Sequence, residues 1–141
     1  MNNSVFSSRG RHTILELWTS AVTKAPDTVF VHFLDGDKQH TYAQFDQLTN
    51  RLAHGLLAAG VAQGDRIATL LDNHVDSVAL FIAASKVNAI YVPVNTANKG
   101  EFLRNPLANS GAKFLVAEDK YLGRVDAIIA SLPELVNIYV R

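Results

Sequence analysis

Apolar residues recur along this chain with two different periods, and each change of period marks a new element. Ile14, Leu15, Leu17, Trp18 and Val22 follow Thr13, which stands three residues before Glu16 in the spacing of a capping box. A first helix is therefore predicted from Thr13 until Pro26 blocks it. Residues 29–34 and 38–42 then flank Asp35-Gly36, a dipeptide whose tolerance of positive φ suits a tight hairpin turn. From Thr41 onward Phe45, Leu48, Leu52, Leu56 and Ala59 fall three or four apart, while Gln47, Asn50, Arg51 and His54 face elsewhere. That spacing predicts an amphipathic helix, with Gly60 as the left-handed residue just past its end.

Beyond Gly60 the pattern becomes a cycle of short apolar runs and longer amphipathic ones. Strands are predicted at 67–71, 89–94, 113–117 and 136–140, and helices at 75–87, 99–110 and 121–132. Strands buried on both faces read as continuous apolar runs, and crossovers of this length are what parallel strands need. The expected fold is α/β: a helix-covered, mainly parallel sheet preceded by a helix and a β-hairpin. No internal sequence repeat, low-complexity segment or interdomain linker interrupts it. Two positions strain the pattern. Asn88 stands where a helix stop would favour glycine, and Pro106 falls inside a predicted helix, where it removes a backbone hydrogen bond and clashes one turn back.

The stretch GLLAAGVAQGDRIATLLDN, residues 55–73, raises the question of a phosphate cradle. Such a cradle runs strand, glycines, helix, so that helix N–H groups and the positive end of the dipole meet the anion. Here the order is reversed, with a helix ending at Gly60 and a strand beginning after Gly64-Asp65-Arg66, so both glycines read as turn residues and Arg66 as a solvated strand-entry charge. Open parallel sheets bind ligands beyond the carboxyl ends of their strands. That rule makes Asn73, His74, Asn95 and Thr96 candidate groove-lining residues, with Asp72, Glu118 and Asp119 beside them. A structural reading of the same residues has Asn73 capping the next helix, Asn95 and Thr96 forming a turn, and Glu118 and Asp119 as solvated loop charges. His12, His32, His40, His54 and His74 include no pair with metal-ligand spacing, and no nucleophile elbow or dinucleotide glycine fingerprint follows a predicted strand. No catalytic, cofactor-binding or metal residue is therefore assigned.

Composition narrows the partners. The chain has 141 residues, 48% of them hydrophobic and 18% charged, which describes an ordinary globular chain. Thirteen basic residues balance thirteen acidic ones, leaving no electrostatic footprint for nucleic acid. The longest apolar stretch, 78–84, is too short for a transmembrane segment. With no cysteine there is no disulfide framework, and a cytoplasmic location is expected. Residues 1–12, MNNSVFSSRGRH, lack the apolar stretch of a secretory signal and read as a polar N-terminal arm.

From about Thr13 to Arg141 the order of these pieces resembles the N-terminal part of the AMP-forming acyl-CoA synthetases and related adenylate-forming ligases. The resemblance rests on HTYAQFDQLTNRLAHGLLAAGVAQGDRIATLLDN and SKVNAIYVPVNTANKGEFLRNPLANSGAKFLVAE. Within them, Thr41-Tyr42 opening a helix, Gly60-Val61 followed by Gly64-Asp65-Arg66, and Tyr91-Val92-Pro93-Val94-Asn95 look like early family motifs. The wording of 95–104 is similar to carnitine or crotonobetaine-type ligases. Asn88 and Pro106 depart from the family, which has glycine and an apolar residue there. The resemblance implies that residues 13–141 form a partial N-terminal subdomain of a larger, ATP-dependent ligase fold. It implies a carboxylic acid substrate, with ATP, Mg2+ and coenzyme A as cofactors of the full-length protein and the remaining C-terminal segments as this portion's partner. The family's phosphate loop, adenine contacts and catalytic lysine lie beyond Arg141, so the chain alone is expected to be inactive, and marginally stable because its sheet would keep an uncovered edge. The alternating pattern by itself also permits a non-catalytic flavodoxin-like binding or regulatory module. A third reading is a shortened paralogue that pairs with another chain through its open edge.

Overall fold

The computed structural model describes residues 13–34 and 36–141. The polar arm 1–12, His12 within it, and Asp35 of the hairpin turn lie outside the described residues. Helix α1 (Ile14–Lys24) opens on the predicted capping box: the Thr13 hydroxyl accepts from the Glu16 N–H, and the Glu16 carboxylate accepts from the Thr13 N–H. Strands β1 (Val29–Phe33) and β2 (Lys38–Thr41) pair antiparallel, with positive φ at Gly36 and Asp37 in the turn between them. Tyr42 is the first residue of helix α2 (Tyr42–Ala58) instead of the last residue of a strand, because Thr41 and Gln44 make a second capping box that starts the helix there.

The end of α2 answers the glycine question. The Gly60 N–H donates to Leu57 and the Val61 N–H to Leu56, with Gly60 at φ 86°. This pair of bonds satisfies two orphan carbonyls, and buried Val61 packs in the same cluster as Leu56. Asn88 ends helix α3 (Val75–Lys86) in the same way at φ 56°, its N–H on Ser85 and the next N–H on Ala84. Asparagine tolerates that left-handed geometry better than most residues.

The strands β3 (Arg66–Leu70), β4 (Ile90–Pro93), β5 (Phe114–Ala117) and β6 (Asn137–Val140) form one parallel sheet in the order β4-β3-β5-β6. Alternation along β3 divides the core. Ala68 and Leu70 join Leu115 and Ala117 against Leu103 and Leu107 of helix α4 (Glu101–Ser110) and Val125 of helix α5 (Leu122–Asp126). Ile67 and Phe114 point the other way, against Leu56 of α2 and Leu80, Ala83 and Ala84 of α3. Outside that second layer, Trp18 and Phe30 pack on Phe45, Ala79 and Ile82, which ties α1 and the hairpin to α2 and α3. With an α3 crossover on one face and α4 and α5 crossovers on the other, all three connections are consistent with the right-handed rule.

Two expectations meet different outcomes in the α4/α5 layer. The single helix predicted over 121–132 is broken into a 3-10 turn at Asp119–Tyr121, the short α5, and a second 3-10 turn at Ile129–Ser131. Its apolar residues still face the core, but Gly123 and the β-branched Val125, Ile128 and Ile129 give little helix propensity, and the Ser131 hydroxyl bonds the Ile128 carbonyl. Helix α4 does run through Pro106 without a break. Its missing N–H removes the bond that the Phe102 carbonyl would accept, on a turn whose Phe102 is 80% exposed. Because an interior proline costs about 3 kcal/mol relative to alanine, Pro106→Ala is expected to raise the thermal midpoint. Calorimetry of the two proteins checks this, and an unchanged or lower midpoint contradicts it.

Candidate functional site

The parallel register that sets Thr69 against Pro93 makes the loops after β3 and β4 emerge side by side. Asn73, Asn95 and Thr96, with Asp72, line an open groove of about 570 Å³ there. Asn95 shapes its own loop: its side-chain oxygen accepts from the Ala97 N–H and its carbonyl from the Asn98 N–H, the turn that the structural reading expects. Asn73 does not cap α3. It is exposed at the groove, and His74 is the capping residue, its Nδ1 accepting the Asp76 N–H at 3.2 Å. The extended backbone of His74 places its ring against that first turn, so its side chain is turned to the helix end and is not among the residues that line the groove.

The crevice that the strand order singles out lies elsewhere. Connections leave β3 toward β4 on one side and reach β5 on the other, so the switch point falls between the carboxyl ends of β3 and β5. The chain's own side chains fill it. The Asp72 N–H donates to the Glu118 carboxylate at 2.8 Å, the Ser77 hydroxyl donates to the Asp72 carbonyl at 2.7 Å, and Tyr121 and Lys120 both donate to the Asp72 carboxylate. Glu118 is thus a strand-to-strand tie with a largely covered side chain, not a solvated loop charge; Asp119 beside it is exposed. Arg141 closes the far side, pairing with Asp76 and lying over the His74 ring. Arg124 donates to the Thr96 carbonyl at 2.6 Å and stacks 4.8 Å from the Tyr121 ring centroid, linking this network to the groove.

The hydrogen bonds set the electrostatics. Lys120, then Tyr121, hold the Asp72 carboxyl below its ordinary value, and the Asp72 N–H does the same for Glu118. The two acids raise the Lys120 ammonium above its usual range. Carboxyls depressed in the folded state contribute stability that is complete above their unfolded values and lost as pH falls through the folded ones. NMR titration is therefore expected to place the midpoint of Asp72 below 3.8 and that of Glu118 below 4.5. Midpoints at or above those values would remove the ion pairs from the account.

The strand-end rule placed Asp72 and Glu118 at this edge, but no sequence signal paired them or added Lys120, because Asp72 stands 46 residues from Glu118 and 48 from Lys120. The turn glycines have an equally local explanation. Asp65 accepts from the Ala62 N–H at 2.9 Å and from Lys113 at 2.8 Å, which fixes the Gly64 turn to the start of β5, while Arg66 is exposed as expected. Among the described histidines, His32 pairs with Asp37 across the hairpin, His40 meets the Phe45 ring edge-on, and His54 is exposed. Among the described residues, no group of three or more His, Asp or Glu side chains gathers as a metal site.

An AMP-binding enzyme family model matches residues 18–140. The chain belongs to that family. It corresponds to the N-terminal portion of these AMP-binding enzymes, and it spans about a fifth of the length of the acyl-CoA ligases it matches. It is 39% identical over 94 residues to a long-chain-fatty-acid–CoA ligase, FadD13, of Mycobacterium tuberculosis, covering 67% of this chain and 19% of the relative. It is 33% identical over 127 residues to a medium/long-chain-fatty-acid–CoA/3-oxocholest-4-en-26-oate–CoA ligase of Mycobacterium marinum, covering 90% of this chain and 23% of the relative. A crystal structure of the N-terminal domain of FACL13 from M. tuberculosis superposes with a TM-score of 0.85 at 30% identity, over 92% of this chain and 34% of that one. None of these AMP-binding relatives bears a carnitine or crotonobetaine name, and nothing in these likenesses favours a flavodoxin-like module.

Proposed function

We propose that this chain is the N-terminal scaffold portion of an ATP-dependent acyl-CoA ligase, which adenylates a carboxylic acid and passes the acyl group to coenzyme A. The observation that supports this most strongly is the superposition of 92% of the chain on a solved ligase N-terminal domain at a TM-score of 0.85. Fatty-acyl substrates are favoured over crotonobetaine-like ones by the names of the two relatives.

ATP, Mg2+ and coenzyme A belong to the whole ligase in this reading, with the C-terminal segments of that ligase as the partner. The residues present here do not fit the nucleotide. Helices α3 and α4 follow parallel strands, yet each carries an acid in its first turn, Asp76 paired with Arg141 and Glu101 with Arg104, so the cations nearest those helix ends are already engaged by the chain's own carboxylates. Asp72, which lines the groove, is likewise paired, with Lys120. Catalysis of phosphate loss needs cations and N–H donors aimed at the developing charge, so no step of adenylation is assigned to this chain's side chains. The groove residues Asn73, Asn95 and Thr96 serve the scaffold in this proposal, with Asn95 shaping the turn after β4.

The test is to read the coding DNA on both sides of the 141 codons and assay the product of the frame it specifies. A frame that continues into a hydroxyl- and glycine-rich phosphate loop is expected to encode a protein that exchanges pyrophosphate into ATP only when a carboxylic acid is supplied. The 141-residue chain in the same assay is expected at background. A long product that shows no such exchange with any fatty acid overturns the ligase reading, as does carboxylate-dependent exchange by the 141-residue chain alone.

A further inference from the structure

At the amino ends of β5 and β6, on the opposite edge of the sheet from the Asn95 groove, the α4/α5 layer leaves a small pocket of about 170 Å³. Leu107, Ala108 and Ala112, at the end of α4, form one wall, and Leu132, Pro133 and Leu135 form the other. Leu107, Ala112 and Leu132 are each no more than 4% exposed, so the floor of the pocket is part of the main core. The second wall is a turn closed by the Leu135 N–H on the Leu132 carbonyl, and Pro133 within it has no N–H to offer.

The polar groups around this pocket are spent on one another. The Ser110 hydroxyl donates to the Leu107 carbonyl at 2.8 Å and accepts from the Ala112 N–H at 3.2 Å, and the Gly111 N–H donates to the Ala108 carbonyl. A buried water needs about two to four polar partners, whereas an apolar cavity of about 150 Å³ stays dry and takes benzene instead. Walls of this kind therefore suit a single apolar ring. Charge at the mouth selects the head group. Glu134 lines the pocket and, among the described residues, has no ion-pair partner. Helix α4 ends here, which brings the negative end of its dipole to the pocket, and its last turn holds no basic residue to offset that charge.

We propose that the pocket between α4 and the 132–135 turn binds a small amine with one apolar ring, the ring against Leu107 and Leu132 and the ammonium at the Glu134 carboxylate. The site is independent of the ligase reading. It lies away from the carboxyl strand ends where α/β sheets hold their substrates, and its charge disfavours the carboxylate that the proposed ligase takes. Ala108, exposed at the rim, and Glu134 define its entrance.

Benzylamine, toluene and benzoate share one ring and differ in charge, which makes them the probes. Each is titrated into the protein that the whole reading frame encodes, with the leucine and alanine methyl resonances followed by NMR. Benzylamine is expected to give saturable shifts at Leu107, Ala112, Leu132 and Leu135. It is expected to bind about three- to fivefold more tightly than toluene, the factor that an exposed ion pair supplies, and benzoate more weakly than either. Salt at about 1 M should bring benzylamine and toluene together. Glu134→Gln is expected to remove the preference for benzylamine and to keep the binding of the ring. Ala108→Leu fills the rim from an exposed helical position with a good helix former, and is expected to abolish the shifts at those methyls without lowering the thermal midpoint. Glu134 is exposed, so its variant tests the charge even where Ala108→Leu disturbs the fold. Shifts that do not saturate or that spread over the whole molecule overturn the proposal. So do benzoate binding as tight as that of benzylamine, a preference that survives Glu134→Gln, and saturable binding that survives Ala108→Leu.

Discussion

Phe45→Ala is expected to destabilise the chain by about 3–5 kcal/mol, the range for deleting a large aromatic side chain from a packed interior. Phe45 is fully buried on α2, with ring centroids of Trp18, Phe30 and His40 between 5.1 and 5.9 Å away. Those rings come from α1, β1 and β2, so the cavity opens at the point where the N-terminal helix and hairpin meet α2 and α3. A two-stranded hairpin does not hold its shape without such a surface. Small domains are stable by only about 5–15 kcal/mol, so the loss is a large share of the total. Urea unfolding followed by Trp18 fluorescence is the measurement, because the single tryptophan lies in this cluster. A change under about 1 kcal/mol would mean that the neighbouring rings collapse into the space, and that the cluster is not the anchor described here.

The second large effect is expected one residue along. The Asp46 carboxylate accepts from the Trp18 indole at 2.7 Å and from Lys86 at 2.6 Å, and Lys86 also donates to the Asn50 side chain at 2.6 Å. The Lys86 side chain is only 12% exposed. Asp46→Ala therefore strands a covered ammonium and an indole N–H, and a loss of about 3 kcal/mol is expected, the lower end for breaking a buried pair because Asp46 keeps some solvent contact. Lys86→Met in the same background should recover part of the loss, since an apolar side chain of similar volume leaves no charge behind. Burial raises the Asp46 pKa, but the hydrogen bonds from Lys86 and Trp18 outweigh it, and the net position is below 3.8. The contribution is thus complete above the unfolded value and lost as pH falls through the folded one. Stability measured from pH 6 down to pH 2 should fall more shallowly in Asp46→Ala than in the parent. Parallel curves would show that the carboxylate is not carrying the interaction. Phe45 and Asp46 share Trp18 as a neighbour, so their effects are not expected to add.

Both predictions concern the N-terminal cluster because the chemistry at the strand ends is more exposed. The Asp72 and Lys120 side chains are 42% and 54% exposed, and a surface pair of that kind contributes little to stability. Its role is positional. It closes the switch point between β3 and β5, where an α/β sheet would otherwise offer a ligand crevice, and leaves the polar groove at Asn73, Asn95 and Thr96 as the opening on that edge.

What the sequence by itself determined is everything set by neighbours a few residues apart. The Thr13 capping box, the stop at Gly60, the strain at Asn88 and the continuous apolar strands each depend on spacing within one or two helical turns or on alternation along one strand. Those local rules fixed the α/β class, and the order of the pieces carried the family resemblance. Tertiary structure decided what depends on which strands lie side by side. Asn73 lines one groove with Asn95 and Thr96 because β4 pairs with β3, and Glu118 reaches Asp72 because β5 pairs with the opposite edge of the same strand. His74 was grouped with the groove by its position after β3, yet the backbone there turns its ring to the α3 end and under Arg141, 67 residues away. The helix expected over 121–132 kept its apolar face and lost its continuity, since packing fixes which side is buried while weak local propensity lets the backbone break. Side-chain patterns record which face is buried. Strand order is a choice among long-range pairings that present the same faces, and only the folded sheet expresses it.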